Sequence, residues 1–199
     1  FLLKFGSEGC QVIQNDGRIG ENGPNGSWIN TDTHNGKFCS PVSIDFDSSG
    51  KVTGVDLYII QSCGPAYGSP DFNSAAGAVS LCYQPKAMRY RGIPVLTNTP
   101  PGGAQRGPGQ NQIAMIIEPL LDKAAKQLDI DRLTIRKINA PNNDSLYDGK
   151  QGSVTSAYLV EALDKGAKKF NWKAKHNLSK NQKGSKVIGL GIGQAYHSA

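Results

Sequence analysis

Between Pro100 and Gly109 the chain places four glycines and three prolines around a single charge, Arg106. Such a stretch can be neither a helix interior nor a central strand. Proline removes amide donors and fixes φ, while glycine opens the region of positive φ. The rest of the chain has to fold around this break. A strand-like run, residues 88–99, leads into it, and a helix-like run, residues 113–128, leads out. Glycines on both sides of a lone Arg let the main chain come close to a bulky or anionic group. Composition alone leaves a plain surface loop as an equal reading, since loops carry function more often than other segments but do not always do so.

The other elements are predicted from periodicity. Val42, Ile44 and Phe46 alternate with polar residues, residues 48–51 read as a turn, and Val55, Leu57 and Ile59 alternate again. This pattern predicts a β-hairpin. Residues 74–82 fit a short helix. Ile113, Ile117, Leu120, Leu121, Ala124 and Leu128 form one stripe at helical spacing, with Pro119 inside it as a kink or the end of a first turn. Asp131 suits the cap of a short helix running to Ile138. Ser153 suits the cap of another over residues 154–170, striped by Leu159, Leu163, Ala167 and Phe170. A Lys- and Asn-rich loop is expected next, then a final strand over residues 187–197 whose glycines suggest close packing or irregularity. Residues 1–40, rich in Gly and Asn, give no confident element. The fold class is α+β, with mixed sheets and two or three packed helices.

Charge is uneven along the 199 residues. Residues 1–100 carry seven basic and eight acidic side chains, and residues 101–199 carry fifteen and eight. Eight lysines fall between Lys165 and Lys186. An anion or nucleic-acid patch is one reading. A solvated helix end with a basic loop is the simpler one, because only Phe170 and Trp172 accompany the lysines and base stacking needs interleaved aromatics. Cys10, Cys39, Cys63 and Cys82 form no Cys-x-x-Cys pair, so zinc and iron–sulfur spacings are missing. Cys63 and Cys82, in apolar surroundings, read as buried free thiols. His34, His176 and His197 are scattered, so no side-chain metal site is expected. No window of about 18 apolar residues suggests a membrane span.

Ala104-Gln105-Arg106-Gly107-Pro108-Gly109, with Thr97-Asn98 before it and Gln112 after it, resembles the Ala-Phe-Arg-Gly-Phe-Gly loop of molybdenum hydroxylases. That is the large subunit of the xanthine dehydrogenase and aldehyde oxidase family. Cys82-Tyr83, Arg89, Gly92 and Glu118 resemble the same pattern in order, as do Asp131, Arg136 and Asn139 after the long helix. Gly189 to Gly193 resembles the strand before the family's next cofactor-binding loop. The chain thus looks like an internal portion of such a subunit, an impression to which its two ends contribute. Residues 41–140 would make a first α+β unit with the Arg106 loop. Residues 141–199 would supply a helix, a basic loop and the start of the next unit.

The resemblance implies hydroxylation of an aldehyde or heterocyclic carbon with water as oxygen source. It implies a molybdenum–molybdopterin cofactor, the cytosine dinucleotide form being expected. Iron–sulfur clusters and a possible FAD would lie on partner subunits or domains, and the location would be cytoplasmic, with a periplasmic one left open. Ala104, Gln105, Arg106 and Gly107 would bind the cofactor, Arg106 through its main chain near the metal. A fixed backbone dipole suits that role, because it needs no reorganisation as charge develops. The cofactor carries the redox chemistry and the protein orients it. The family's catalytic Glu would lie beyond Ala199, so no catalytic residue is assigned within the chain. Glu118 is read as a structural hydrogen-bonding residue on a helix face. Gln105 and Pro108 stand where family members with aromatic substrates place Phe, and Ser74 stands where purine-oxidising members carry a substrate-binding Arg. Pro108 and Ser74 therefore shape the expected substrate pocket, and a purine substrate is not expected. The alternative is a non-catalytic module that binds an anion or a partner through its basic C-terminal half.

Overall fold

The computed structural model describes residues 2–4, 12–13, 19–20, 28–33, 36–66, 71–100, 106–146, 154–180 and 182–195, with side chains from residue 42 onward except 72, 73 and 180. In chain order these form β1 (Leu2–Lys4), β2 (Val12–Ile13), β3 (Ile19–Gly20), β4 (Trp28–Thr33), β5 (Gly36–Phe46) and β6 (Val52–Gly64). Then follow α1 (Asp71–Tyr83), β7 (Ala87–Leu96), α2 (Gln110–Gln127), α3 (Arg132–Asn139), α4 (Leu159–Phe170) and α5 (Trp172–Lys180).

The hairpin is β5–β6, longer than its alternating pattern indicated. Val42 faces Leu57 and Ile44 faces Val55 across an antiparallel ladder. Val42, Ile44, Phe46, Val55, Leu57 and Ile59 are all buried, so the period of two separates a core face from an outer face. The turn is closed locally, where Asp47 Oδ1 accepts the amides of Ser49 and Lys51, each at 3.0 Å. On the other edge of β5, β4 pairs with residues 36–41 and β1 with residues 43–45, end to end. β2 and β3 pair separately.

β6 and β7 pair in parallel, joined by α1. Parallel neighbours need a crossover, and here it is a helix. Ala75, Ala78 and Val79 of α1 and Ile113, Ile116, Ile117, Leu120 and Leu121 of α2 cover the apolar face of the sheet. Pro119 lies on the exposed side of α2, which continues through it. Proline lacks only the amide that would have reached the carbonyl of Met115, and on a wet face that carbonyl can turn to water. α3 begins where Asp131 accepts the amides of Leu133 and Thr134, as a capping Asp should. It then locks the hairpin turn, since Asn139 Nδ2 donates to the Gly50 carbonyl and its Oδ1 accepts from Val52 N, both at 2.8 Å.

Three expectations fail in the C-terminal part. The helix expected over residues 154–170 starts at Leu159. Ser156 has φ 56°, outside the helical region. The amides of Val154 and Ala157 donate instead to Ser145 O and Asn143 Oδ1. The expected Lys-rich loop is largely helical, as α5. Asn171 turns left-handed (φ 58°) to end α4, and Trp172 then buries itself with its indole N–H on the Asp131 carboxylate at 3.1 and 3.2 Å. The expected final strand does not form over residues 187–195. Its polar groups go to side chains: Ile188 N to Gln182 Oε1, Leu190 O from Arg132 Nη1, and Gln194 N to Glu118 Oε2. Gly189 and Gly191 stand in open space, not in close packing. The stripe on α4 is real, and it lines an open groove of about 310 Å³ with Leu133, Trp172 and Ile192.

Candidate functional site

The described residues leading to Arg106, 97–100, leave the C-terminal end of β7 beside the C-terminal end of β6. Thr97 N donates to Gly64 O at 2.9 Å and the Thr97 hydroxyl meets Ser62 Oγ at 2.8 Å, so the loop departs from the parallel pair as a continuation of its ladder. Ligands of open α/β sheets lie outside the carboxyl ends of the strands. Both helices that follow these strands start at this pole, α1 after β6 and α2 after β7.

The two helix starts touch. Gly109, the residue before α2, has φ 76°, and a Cβ built on it would lie 1.8 Å from the Asp71 carbonyl oxygen and 3.0 Å from Ala75 N. No side chain larger than hydrogen fits there, and the backbone angle disfavours one in any case. Gly107 also has positive φ, 75°, and its absent Cβ would meet the Asn111 carboxamide at 2.9 Å. Pro108, half-buried, is thus held between two left-handed glycines. Ser74 is half-buried on α1, next in sequence to Ala75, whose amide lies at the Gly109 contact.

Arg106 is exposed, and its guanidinium has no hydrogen bond or ion pair among the described residues. Its carbonyl accepts from Asn111 Nδ2 at 3.0 Å. Ala104 and Gln105 lie outside the described residues. No side chain caps α2, and its first turn holds no acid. The first-turn amides of α2 that have no acceptor make that helix end positive, whereas α1 carries the acidic Asp71 in its own first turn. Gln110, with 4% of its surface exposed, has a buried Oε1 without a hydrogen-bond partner. An acceptor buried in this state costs about 1–3 kcal/mol unless something donates to it. The spacing of residues singled out Arg106 and its glycines but missed Gln110, Asn111 and the start of α1. The Gln-Asn-Gln run straight after Gly109 was the available signal.

Glu118 is committed elsewhere. Its carboxylate accepts from Tyr83 Oη at 2.7 Å, from Arg136 Nε at 2.8 Å and from Gln194 N at 3.1 Å. Arg136, with none of its surface exposed, also meets Asp122 at 2.9 Å and donates to Arg132 O at 2.8 Å. Burial raises the Glu118 carboxyl above its ordinary value against the pull of Arg136 and of its hydrogen-bond donors. Burial and the Glu118 charge push the Tyr83 phenol well up. This network ties α1, α2, α3 and the C-terminal segment together. Cys63 and Cys82 are buried free thiols. Lys165, Lys168, Lys169, Lys173, Lys175, Lys183 and Lys186 are exposed, two of them in the last turn of α4 where the helix dipole favours cations.

Residues 27–140 match the molybdopterin cofactor-binding domain family. The chain is 31% identical over 145 residues to a xanthine dehydrogenase molybdenum-binding subunit of Escherichia coli, covering 72% of this chain and 19% of the relative. It is 29% identical over 178 residues to an aldehyde oxidoreductase molybdenum-binding subunit of the same species, covering 88% and 23%. The chain therefore spans about a fifth of the length of the curated relatives it matches. Among solved structures, the aldehyde oxidoreductase of Desulfovibrio gigas superposes with a TM-score of 0.65 at 22% identity, over 75% of this chain and 16% of that one. Quinoline 2-oxidoreductase of Pseudomonas putida gives 0.63 at 21%, over 72% and 19%. These two likenesses concern the fold. With more than half of its residues inside the family match, Arg106 and its flanking glycines among them, the chain belongs to the molybdopterin cofactor-binding domain family.

Proposed function

We propose that the Arg106 loop and the two helix starts behind it receive the molybdenum–molybdopterin cofactor, in a subunit that hydroxylates an aldehyde or heterocyclic carbon with water. The observation that carries this reading is the contact of Gly109 with the first turn of α1. It packs the two helix starts main chain to main chain directly behind the loop, with no room for a side chain between them. The uncapped N-terminus of α2, with no acid in its first turn, favours an anionic group such as a cofactor phosphate. The orphaned Gln110 Oε1 can accept from a ring N–H of the pterin. When bound, the cofactor supplies the two-electron redox chemistry. The chain's own part is to orient it: Arg106 and Gly107 through their peptides, Ala104 and Gln105 by family resemblance, Pro108 and Ser74 at the substrate side. The cytosine dinucleotide form, an iron–sulfur partner and a FAD-bearing partner complete the proposal. Glu118 is not its base, because the carboxylate is enclosed by the donors that hold the fold together.

Molybdenum content of the complete subunit tests this. Arg106→Lys keeps the main chain and should keep most of the metal. Gly107→Val puts a branched side chain at φ 75° and against Asn111, and should lose most of it. Equal retention in both variants would count against the site.

A further inference from the structure

Asn111 acts twice on the Arg106 loop. Its carboxamide donates to the Arg106 carbonyl at 3.0 Å, and its amide donates to the Gly107 carbonyl at 3.2 Å. Two successive peptide planes are therefore held by one residue in the first turn of α2. A trans peptide points its C=O and its N–H in opposite directions. With the Arg106 carbonyl drawn toward Asn111, the Gly107 N–H is turned away from the helix. The next peptide has no N–H at all, because its nitrogen belongs to Pro108. The Gly107 amide is thus the one donor these two planes present, and it makes no hydrogen bond among the described residues. Gly107 itself is buried, where an amide left without an acceptor is costly.

We infer that Asn111 is a positioning residue that aims the Gly107 amide at the cofactor, an inference that rests on the cofactor reading of this loop. The Asn111 side chain also fills the space a Cβ at Gly107 would need, so glycine at 107 and asparagine at 111 form one matched unit. No other described side chain donates to the Arg106 or Gly107 carbonyl, so the loop's aim depends on this residue.

The test is made in the complete, cofactor-loaded subunit with Asn111→Asp and Asn111→Leu. Asp has the size of Asn, cannot donate when ionised, and is favoured in the first turn of a helix. Thermal midpoint should therefore hold or rise in Asn111→Asp. The expected result is a fall in kcat of at least about tenfold without a matching rise in KM, because small displacements of positioning groups cost that much or more. The Mo(V) electron paramagnetic resonance spectrum should change, or molybdenum should be lost, while the melting curve stays in place. A stability role alone would move melting and leave the spectrum as it was. Wild-type kcat with a wild-type spectrum overturns the inference. So does loss of the folded subunit in both variants, which would make Asn111 a structural residue. Gly107→Val separates the two levels. If it keeps full molybdenum, the cofactor reading itself fails. If it loses molybdenum while Asn111→Asp is unaffected, the site stands and only the positioning role falls.

Discussion

Gly109 and Asp71 are in contact through main chain alone: the Asp71 carbonyl oxygen sits 1.8 Å from where a Cβ on Gly109 would be. This contact joins the starts of α1 and α2 at the pole of the sheet that carries the Arg106 loop. Gly109→Ala must therefore move backbone, and it must also adopt φ 76°. Strained non-Gly angles cost about 1–3 kcal/mol each, before any clash is counted. We expect the complete subunit to lose at least that much stability in urea titration and to retain less molybdenum than Gly107→Ala, where the obstacle is a movable side chain. Equal metal content in the two variants would show that the helix contact does not shape the site.

The buried Arg136 is a second joint. Its guanidinium is wholly enclosed and faces Glu118 at 2.7 Å and Asp122 at 2.9 Å. Removing one partner of a buried pair leaves the other charge uncompensated, at about 3–5 kcal/mol. Arg136→Met should therefore lower the urea midpoint strongly. Arg136→Met combined with Glu118→Met should recover part of the loss, since both charges are then gone. A double variant no better than the single one would mean that Asp122 or the Arg132 carbonyl contact, not the Glu118 pair, carries the effect.

Cys82 makes a prediction about pH. Burial, and after it the Glu118 charge, pushes its thiol up to about 12 from an ordinary value of 9.0. Below 9.0 the thiol is neutral in both folded and unfolded chains, and its contribution to stability is fully present. As pH rises through about 12 that contribution is lost, because the unfolded thiol ionises first. Cys82→Ala should flatten the alkaline limb of the stability curve. In the native protein at pH 8.5, iodoacetamide should label Cys82 only at the rate of unfolding, because the thiolate is the nucleophile. Rapid native labelling at this position would place the thiol outside the core.

What could be read from the residues follows the range of the interactions involved. The β5–β6 hairpin shows itself because Val42, Ile44, Val55 and Leu57 alternate within each strand, and the turn at Asp47 is local. The α2 stripe and the Asp131 cap are equally local signals. The parallel pairing of β6 with β7 is not local, nor is the contact between Gly109 and Asp71, so the shape of the site was hidden although Arg106 and its glycines stood out. The C-terminal errors have the same origin. α5 forms where Trp172 docks on Asp131, forty-one residues away. The apolar run over 187–195 looked like a strand, but the donors and acceptors it meets belong to Gln182, Arg132 and Glu118. Glu118 itself reads as a helix-face residue, and its three donors come from α1, α3 and the C-terminal segment.

The last prediction concerns what the pocket accepts, and it turns on Pro108. This residue is held rigidly between Gly107 and Gly109 at the helix contact and is half-buried. Proline has no aromatic face, so it cannot stack on a flat ring, an interaction worth about 0.5–1.5 kcal/mol beyond burial. Ser74, half-buried in the adjoining turn of α1, stands by family resemblance where purine-oxidising members would carry an Arg, and on the proposed reading it would offer a hydroxyl in place of that guanidinium. On the proposed reading of the site, a proline and a serine at the substrate side would leave room for a non-planar substrate and would supply neither the charge nor the stacking that a purine needs. The complete enzyme should therefore oxidise aldehydes with a much higher kcat/KM than xanthine or hypoxanthine. Pro108→Phe should narrow that preference by raising kcat/KM for flat heterocycles, by about two- to tenfold if one aromatic pair is gained. Measuring both substrate classes in both proteins decides the matter. A wild-type preference for xanthine would remove the argument from Pro108 and Ser74, and would leave the membership of the family and the cofactor reading of the Arg106 loop untouched.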